Sequence, residues 1–229
     1  MNTKFYCNGN VVEKCDSYKY LGLVFNPSGS VIPAIKELLT KANKAYFSIN
    51  NIFYENKNME VDQAIQLFDS LVSPIALYAS EFWSVLSLPF KCFDSKTELL
   101  KSWESFIPET LLQRFNRLIL GTHKKTSRLC TLGELGTYPL LIKCLTHTLN
   151  YKWSLFNKQD KTSLVYEALH EMSAMADIGI DCWLSRVNKM EVLLNLTAPN
   201  VNSSINSVQH YYKTKIKSAF DIFYMDQIK

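Results

Sequence analysis

Residues 31–53 read VIPAIKELLTKANKAYFSINNIF, and this stretch decides the fold class. Ile35, Leu38, Leu39, Ala42, Tyr46 and Ile49 recur at three- and four-residue spacing, which lines them along one stripe of an α-helix. Lys36, Lys41 and Lys44 fall mostly on other faces. The pattern predicts a long helix with one apolar side turned into a core.

Upstream of it the pattern turns to β. Phe5-Tyr6-Cys7 leads into Asn8-Gly9-Asn10, and an Asn-Gly pair is a strong signal for a two-residue hairpin turn. Val11-Val12 makes the return strand, and Tyr18 to Phe25 predicts one more apolar, aromatic strand running through Gly22. Asn26-Pro27-Ser28-Gly29 closes this element with turn chemistry. The β reading covers residues 4–25. Met1 to Phe5 has no signal-peptide pattern and runs straight into a strand, as a chain entered partway through a domain would.

Downstream the chain is helical almost to its end. After a polar break at Glu55 to Asn58, a helix is expected over 61–86, with Ile65, Phe68, Leu71 and Val72 on one side and a kink at Pro74. Lys91 to Lys101 reads as a mixed connector. Pro108 opens a helix at its first turn, Leu111, Leu112, Phe115, Leu118 and Ile119 follow, and Gly121 ends it. The basic segment His123 to Arg128 carries hydroxyls suited to capping a short helix. Gly133 to Gly136 and Tyr138-Pro139 mark a turn. Helices are expected over 140–156, 161–175, 182–196 and 207–228. Phe53, Phe68, Trp83, Trp103, Phe115, Trp153 and Trp183 are the expected aromatic core. The fold class is mainly α: a small N-terminal β-hairpin or sheet, then a helical bundle and further helices.

Bulk properties narrow the function. With 229 residues, 47% hydrophobic and 20% charged, the chain is a folded protein rather than a disordered one. A net charge of +4 is compatible with nucleic acid, but affinity depends on where the cations sit. The six cysteines have no C-x-x-C spacing, so the expectation is free, largely buried thiols in a reducing, intracellular compartment, nuclear or cytoplasmic. In that setting the sequons at Asn195 and Asn202 have no consequence. Leu71 to Phe90 is about as long as a bilayer span, yet Glu81, Pro74 and Pro89 make it a buried helix, and no membrane partner is expected. Asp177 and Asp181 flank Gly179 and read as a loop rather than a metal pair. No Ser/His/Asp or Cys/His arrangement and no phosphate-cradling glycine loop supplies independent enzyme chemistry.

Three segments in register carry a resemblance. Tyr18-Lys19-Tyr20-Leu21-Gly22-Leu23-Val24-Phe25, followed by Gly29 and Lys41-Ala42-Asn43-Lys44-Ala45, resembles the YKYLG strand and following thumb helix of non-LTR (LINE-type) retrotransposon reverse transcriptases. Leu67 to Tyr78, with Glu81 and Trp83, is similar to that family's LFD.LV.PI.LYG.E.W stretch. Lys125-Thr126-Ser127 and Gly133 to Leu140 resemble its KTS…GELGRYPL block downstream of the thumb. Together they cover about residues 4–153 in the family's order. Ala79 stands where the family has glycine, and Thr137 where it has arginine.

The resemblance implies a palm-edge primer grip over 1–30, a helical thumb-like domain over 31–121 and a helical C-terminal extension over 122–229. It implies primer-grip roles for Tyr20 and Gly22. Phosphate contacts fall to Lys36, Lys41 and Lys44, with Lys124, Lys125 and Arg128 as a second basic cluster. Solvated helix surface explains the first three equally well, and the helix dipole explains a basic loop after a C-terminus. The implied partners are an RNA template with a DNA primer, and the upstream palm and fingers of the same polyprotein. Two divalent ions, magnesium by implication, belong to the intact polymerase only. This sequence contains no adjacent Asp pair to hold them, so no catalytic or metal-ligating residue is assigned and the chain is expected to be inactive alone. The alternative reading is a non-enzymatic helical interaction module.

Overall fold

The computed structural model describes residues 5–55, 59–157, 163–197, 199 and 203–228. Met1 to Lys4, the break at Asn56 to Asn58, the first residues of the 161–175 helix and the Asn202 sequon lie outside them. Strand β1 (Phe5–Cys7) pairs antiparallel with β2 (Asn10–Val12), placing Phe5 opposite Val12 and Cys7 opposite Asn10. Asn8 and Gly9 turn the chain at φ 49° and 79°, the left-handed pair that a two-residue hairpin needs.

The expected single strand over 18–25 is instead a second hairpin. Strand β3 (Tyr18–Tyr20) folds back on β4 (Leu23–Phe25), with Tyr20 opposite Leu23. Leu21 and Gly22 occupy the turn at φ 46° and 86°. Glycine takes that conformation without steric cost, so Gly22 serves chain reversal and not a pleated strand. The two hairpins form two separate two-stranded sheets rather than one.

Helix α1 (Ile32–Glu55) buries the predicted stripe: Ile35, Leu38, Leu39, Ala42, Tyr46 and Ile49 all lie in the core. The expected helix over 61–86 is interrupted. It comprises α2 (Val61–Leu67), a wide π turn (Phe68–Val72), α3 (Ser73–Ala76) and α4 (Ser80–Ser87). The Ser73 N–H bonds Phe68 O, five residues back, so the ladder is already widened where Pro74 offers no N–H. The sharp break falls at Ala79, whose φ of 55° is left-handed.

The connector over 91–101 is ordered as a 3₁₀ turn (Phe90–Phe93) and α5 (Lys96–Lys101), the latter capped by the Ser95 hydroxyl accepting from Glu98 N at 3.1 Å. After a second 3₁₀ turn (Ser102–Ser105), α6 (Glu109–Ile119) follows Pro108 and ends at Gly121, φ 60°. Helix α7 (Arg128–Glu134) begins after Ser127, whose side chain makes no cap hydrogen bond, contrary to expectation. Helices α8 (Leu140–Phe156), α9 (Leu164–Asp177), α10 (Trp183–Leu193) and α11 (Ile205–Ile228) complete the chain.

Helix α8 lies between α4 and α11, and α10 packs on α4 and α9. One hydrophobic cluster runs from Ile35 of α1 to Phe223 of α11, so the segments on either side of residue 121 share a core. Phe68 stacks on Phe115 at 4.4 Å, and Trp83 on Phe106 at 6.0 Å. Trp103 and Trp183 are also buried, while Phe53 and Trp153 are partly covered. Glu109, fully buried, accepts from Leu141 N at 2.8 Å and so holds the first turn of α8. Burial pushes its pKa up to about 8.

The cysteines depart from the expected burial. Cys92 and Cys144 are buried and Cys182 half-buried, but Cys7, Cys15 and Cys130 are exposed. Cys7 belongs to a two-stranded hairpin, and Cys15 to the segment after it, where the chain has no thickness to cover them. Among the described residues no helix is long and apolar enough to cross a membrane.

Candidate functional site

The β3–β4 hairpin is fastened to the helices at both ends. At its turn, the Tyr78 hydroxyl donates to Leu21 O at 3.0 Å. At its base, Phe25 lies 6.4 Å from the Phe82 ring. A Cβ on Gly22 would sit 3.5 Å from Tyr78 Cε1, so the neighbour of that glycine is a side chain of the same protein. Tyr20, at the end of β3, is 57% exposed and free to meet another molecule.

Lys19 of β3 and Lys41 of α1 both reach Glu37, the latter at 3.0 Å. The hydrogen bonds from Lys19 and then Lys41 hold the Glu37 carboxyl below the usual carboxylate range. Lys41 is therefore committed to a strap between hairpin and helix, whereas Lys36 and Lys44 are exposed on α1. Through Glu37 the structure joins the hairpin that carries Tyr20 and Gly22 to the helix that carries Lys41.

The second basic cluster builds a concavity. A cleft of about 670 Å³ is lined by Tyr46 of α1, Gln113, Arg114 and Arg117 of α6, and Lys124 and Arg128 beyond it. No Asp or Glu lines it among the described residues. The guanidinium groups are held by neutral acceptors. Arg114 donates to Asn43 Oδ1 at 2.9 Å and lies 5.7 Å over the Tyr46 ring. Arg117 donates to Thr126 O at 3.2 Å, and Arg128 to Glu104 O at 2.6 Å. Carbonyl and amide oxygens orient a guanidinium without cancelling its charge, so the cleft stays positive.

Three of the residues that line the cleft also carry buried polar atoms with no hydrogen-bond partner among the described residues. Gln113 is 2% exposed; its Oε1 accepts from the Thr131 hydroxyl at 3.2 Å, but its Nε2 has no partner. Arg117 Nε and Thr122 Oγ1 are likewise buried without partners. Leaving such a donor unmet costs about 1–3 kcal/mol.

Of the sequence-predicted cations, Lys124 and Arg128 line this cleft and Lys125 is exposed beside it. His123 accepts through Nδ1 from Lys125 N at 3.2 Å, which ties it into the loop turn. Arg114 and Arg117 were missed by reading α6 for its apolar stripe alone. Their three-residue spacing, leading into Lys124 and Arg128, was the signal.

A larger cavity of about 970 Å³ between α3, α8 and α11 is mixed in charge, with Asp69 paired to Lys143 at 2.5 Å. His147 on its wall bonds the Ser80 hydroxyl at 2.9 Å, and burial holds its pKa below the usual histidine value. Ser80 is completely buried, so this pair offers no accessible nucleophile. Among the described residues no cluster of His, Cys, Asp or Glu is arranged to hold a metal. Compared with known proteins, the chain matches no family model, no curated protein and no solved structure.

Proposed function

We propose that this chain positions a template–primer nucleic acid for a polymerase, as the thumb and following helices of a non-LTR retrotransposon reverse transcriptase would. The observation that supports it best is contact in space between the segments that carry the resemblance and their neighbours. The Tyr78–Leu21 bond joins the YKYLG-like hairpin to the LYG.E.W-like stretch, and Glu37 joins that hairpin to the Lys41 helix. Arg117 of α6 then holds Thr126 of the KTS-like block. A second support is Ala79: where the resembled family has glycine, the backbone φ is 55°, the conformation glycine favours.

On this reading the chain supplies grip and no chemistry. Carboxylates and two divalent ions for RNA-directed DNA synthesis would come from a palm outside it, since it has no adjacent Asp pair. The exposed Phe5, Tyr6, Val11 and Val12 of the β1–β2 hairpin, with Tyr18 of β3, suit docking against such a palm. Exposed Lys36 and Lys44 serve as backbone contacts, and Lys41 as a positioning residue for the hairpin.

The second reading, a helical interaction module, is favoured by the uncovered apolar side chains Leu164, Ile178 and Val192 on and near α9 and α10. Binding of an RNA–DNA hybrid over a salt series separates the two: the clamp binds and weakens steeply with salt, the module does not bind.

A further inference from the structure

We infer that the cleft between α1, α6 and the 122–128 loop is a phosphate-binding site. On the reading above, the group it takes is a phosphodiester of the nucleic-acid backbone. Two independent observations point the same way. Four cationic side chains, Arg114, Arg117, Lys124 and Arg128, line a concavity with no carboxylate in its lining among the described residues, and the hydrogen bonds of the three arginines go to neutral oxygens. Among the residues lining it, Gln113 Nε2, Arg117 Nε and Thr122 Oγ1 are buried without partners among the described residues.

The two N–H groups can only donate, and the hydroxyl can donate as well, so the missing partner is an acceptor. Four cations around one concavity, with unmet donors in its lining residues, match a tetrahedral oxyanion, which accepts several hydrogen bonds at once. Tyr46 adds a ring at the α1 edge, against which Arg114 is already placed. Because the cleft is open rather than enclosed, a backbone phosphate in mid-strand reaches it as readily as a terminal one.

The test uses the whole chain and the double variant Arg114→Gln/Lys124→Gln. Both residues are rim cations, and the variant leaves Arg117 and Arg128 holding Thr126 and Glu104. Lys91→Gln/Lys101→Gln, outside the cleft lining, is the control of equal net charge. Three measurements are made. The first is the thermal midpoint in inorganic phosphate against chloride of equal ionic strength. The others are the affinity and salt slope for a fluorescein-labelled RNA–DNA hybrid, with and without a 5′-phosphate.

The expected result is a phosphate-dependent rise in midpoint for the wild type and the charge-matched control that Arg114→Gln/Lys124→Gln loses. The log–log salt slope should also shrink by about 0.9 per rim cation removed. Equal binding of hybrids with and without the 5′-phosphate supports the backbone, and dependence on it overturns the backbone assignment. Equal phosphate stabilisation of wild type and double variant, with an unchanged salt slope, overturns the site while leaving the clamp intact. A wild type that binds no hybrid overturns the clamp, and the phosphate midpoints then decide the site by themselves.

Discussion

The Tyr78 hydroxyl donates to the carbonyl of Leu21 across 3.0 Å, joining the tip of the β3–β4 hairpin to the corner between α3 and α4. A two-stranded hairpin is at best marginally stable alone, so what fixes its orientation is this bond together with the Lys19–Glu37–Lys41 strap. The exposed aromatic ring of Tyr20 is aimed by those attachments.

Tyr78→Phe should loosen the hairpin without disturbing the helices. The loss is about 0.5–1.5 kcal/mol, because the freed carbonyl is near solvent. Hydrogen exchange should accelerate at 18–25 and stay unchanged in α8. Equal protection of the hairpin in both proteins would show that the bond does not hold it.

Ala79→Gly should stabilise the protein by about 1 kcal/mol. Ala79 sits at φ 55°, where a Cβ crowds its own backbone, and glycine removes that strain at some cost in unfolded-state entropy. Urea denaturation should show a higher midpoint at unchanged slope. A lower midpoint would mean that the Ala79 methyl contributes more by packing than it costs in backbone strain.

Glu109 gives stability an unusual pH sign. Burial raises its folded pKa from 4.5 to about 8, so between those values the folded state keeps a proton that the unfolded state has lost. Its contribution to stability is greatest below about pH 4.5 and declines as pH rises through 8. Glu109→Gln keeps an acceptor for Leu141 N and removes the titration. Denaturation midpoints measured from pH 5 to pH 8 should fall for the wild type more than for the variant, and parallel curves would contradict the assignment.

Gly133→Ala should destabilise the contact between α7 and α11. The new Cβ would lie 2.5 Å from the Tyr224 hydroxyl, which donates to Leu129 O at 3.3 Å. Either that bond breaks or the backbone shifts, at about 1–3 kcal/mol. The second substitution Tyr224→Phe should recover part of the loss, and no recovery would place the strain elsewhere.

How much of this was legible in the sequence varies with the range of the interaction. The α1 stripe from Ile35 to Ile49 and the limits of α8 follow from local periodicity, and the structure reproduces them. The 18–25 hairpin and the break at Ala79 were not readable. Leu21 and Ala79 are non-glycine residues held at positive φ, and β-branched and aromatic neighbours around Gly22 read as strand. The cleft was half legible. Lys124 and Arg128 stand out in a basic run, and Arg114 and Arg117 share a helix face by their spacing, but that these two pairs line one cleft depends on α6 folding against α1. The exposure of Cys7 and Cys15 depends on how little packs around the first hairpin, which spacing does not encode.

The central claim is a grip on nucleic acid, and the salt dependence of hybrid binding tests it most directly. Affinity for a short RNA–DNA hybrid should fall linearly on a log–log plot as salt rises. Lys36→Gln and Lys44→Gln should each lower that slope by about 0.9. Absence of binding at low salt, or affinity indifferent to salt and to both lysines, would contradict it.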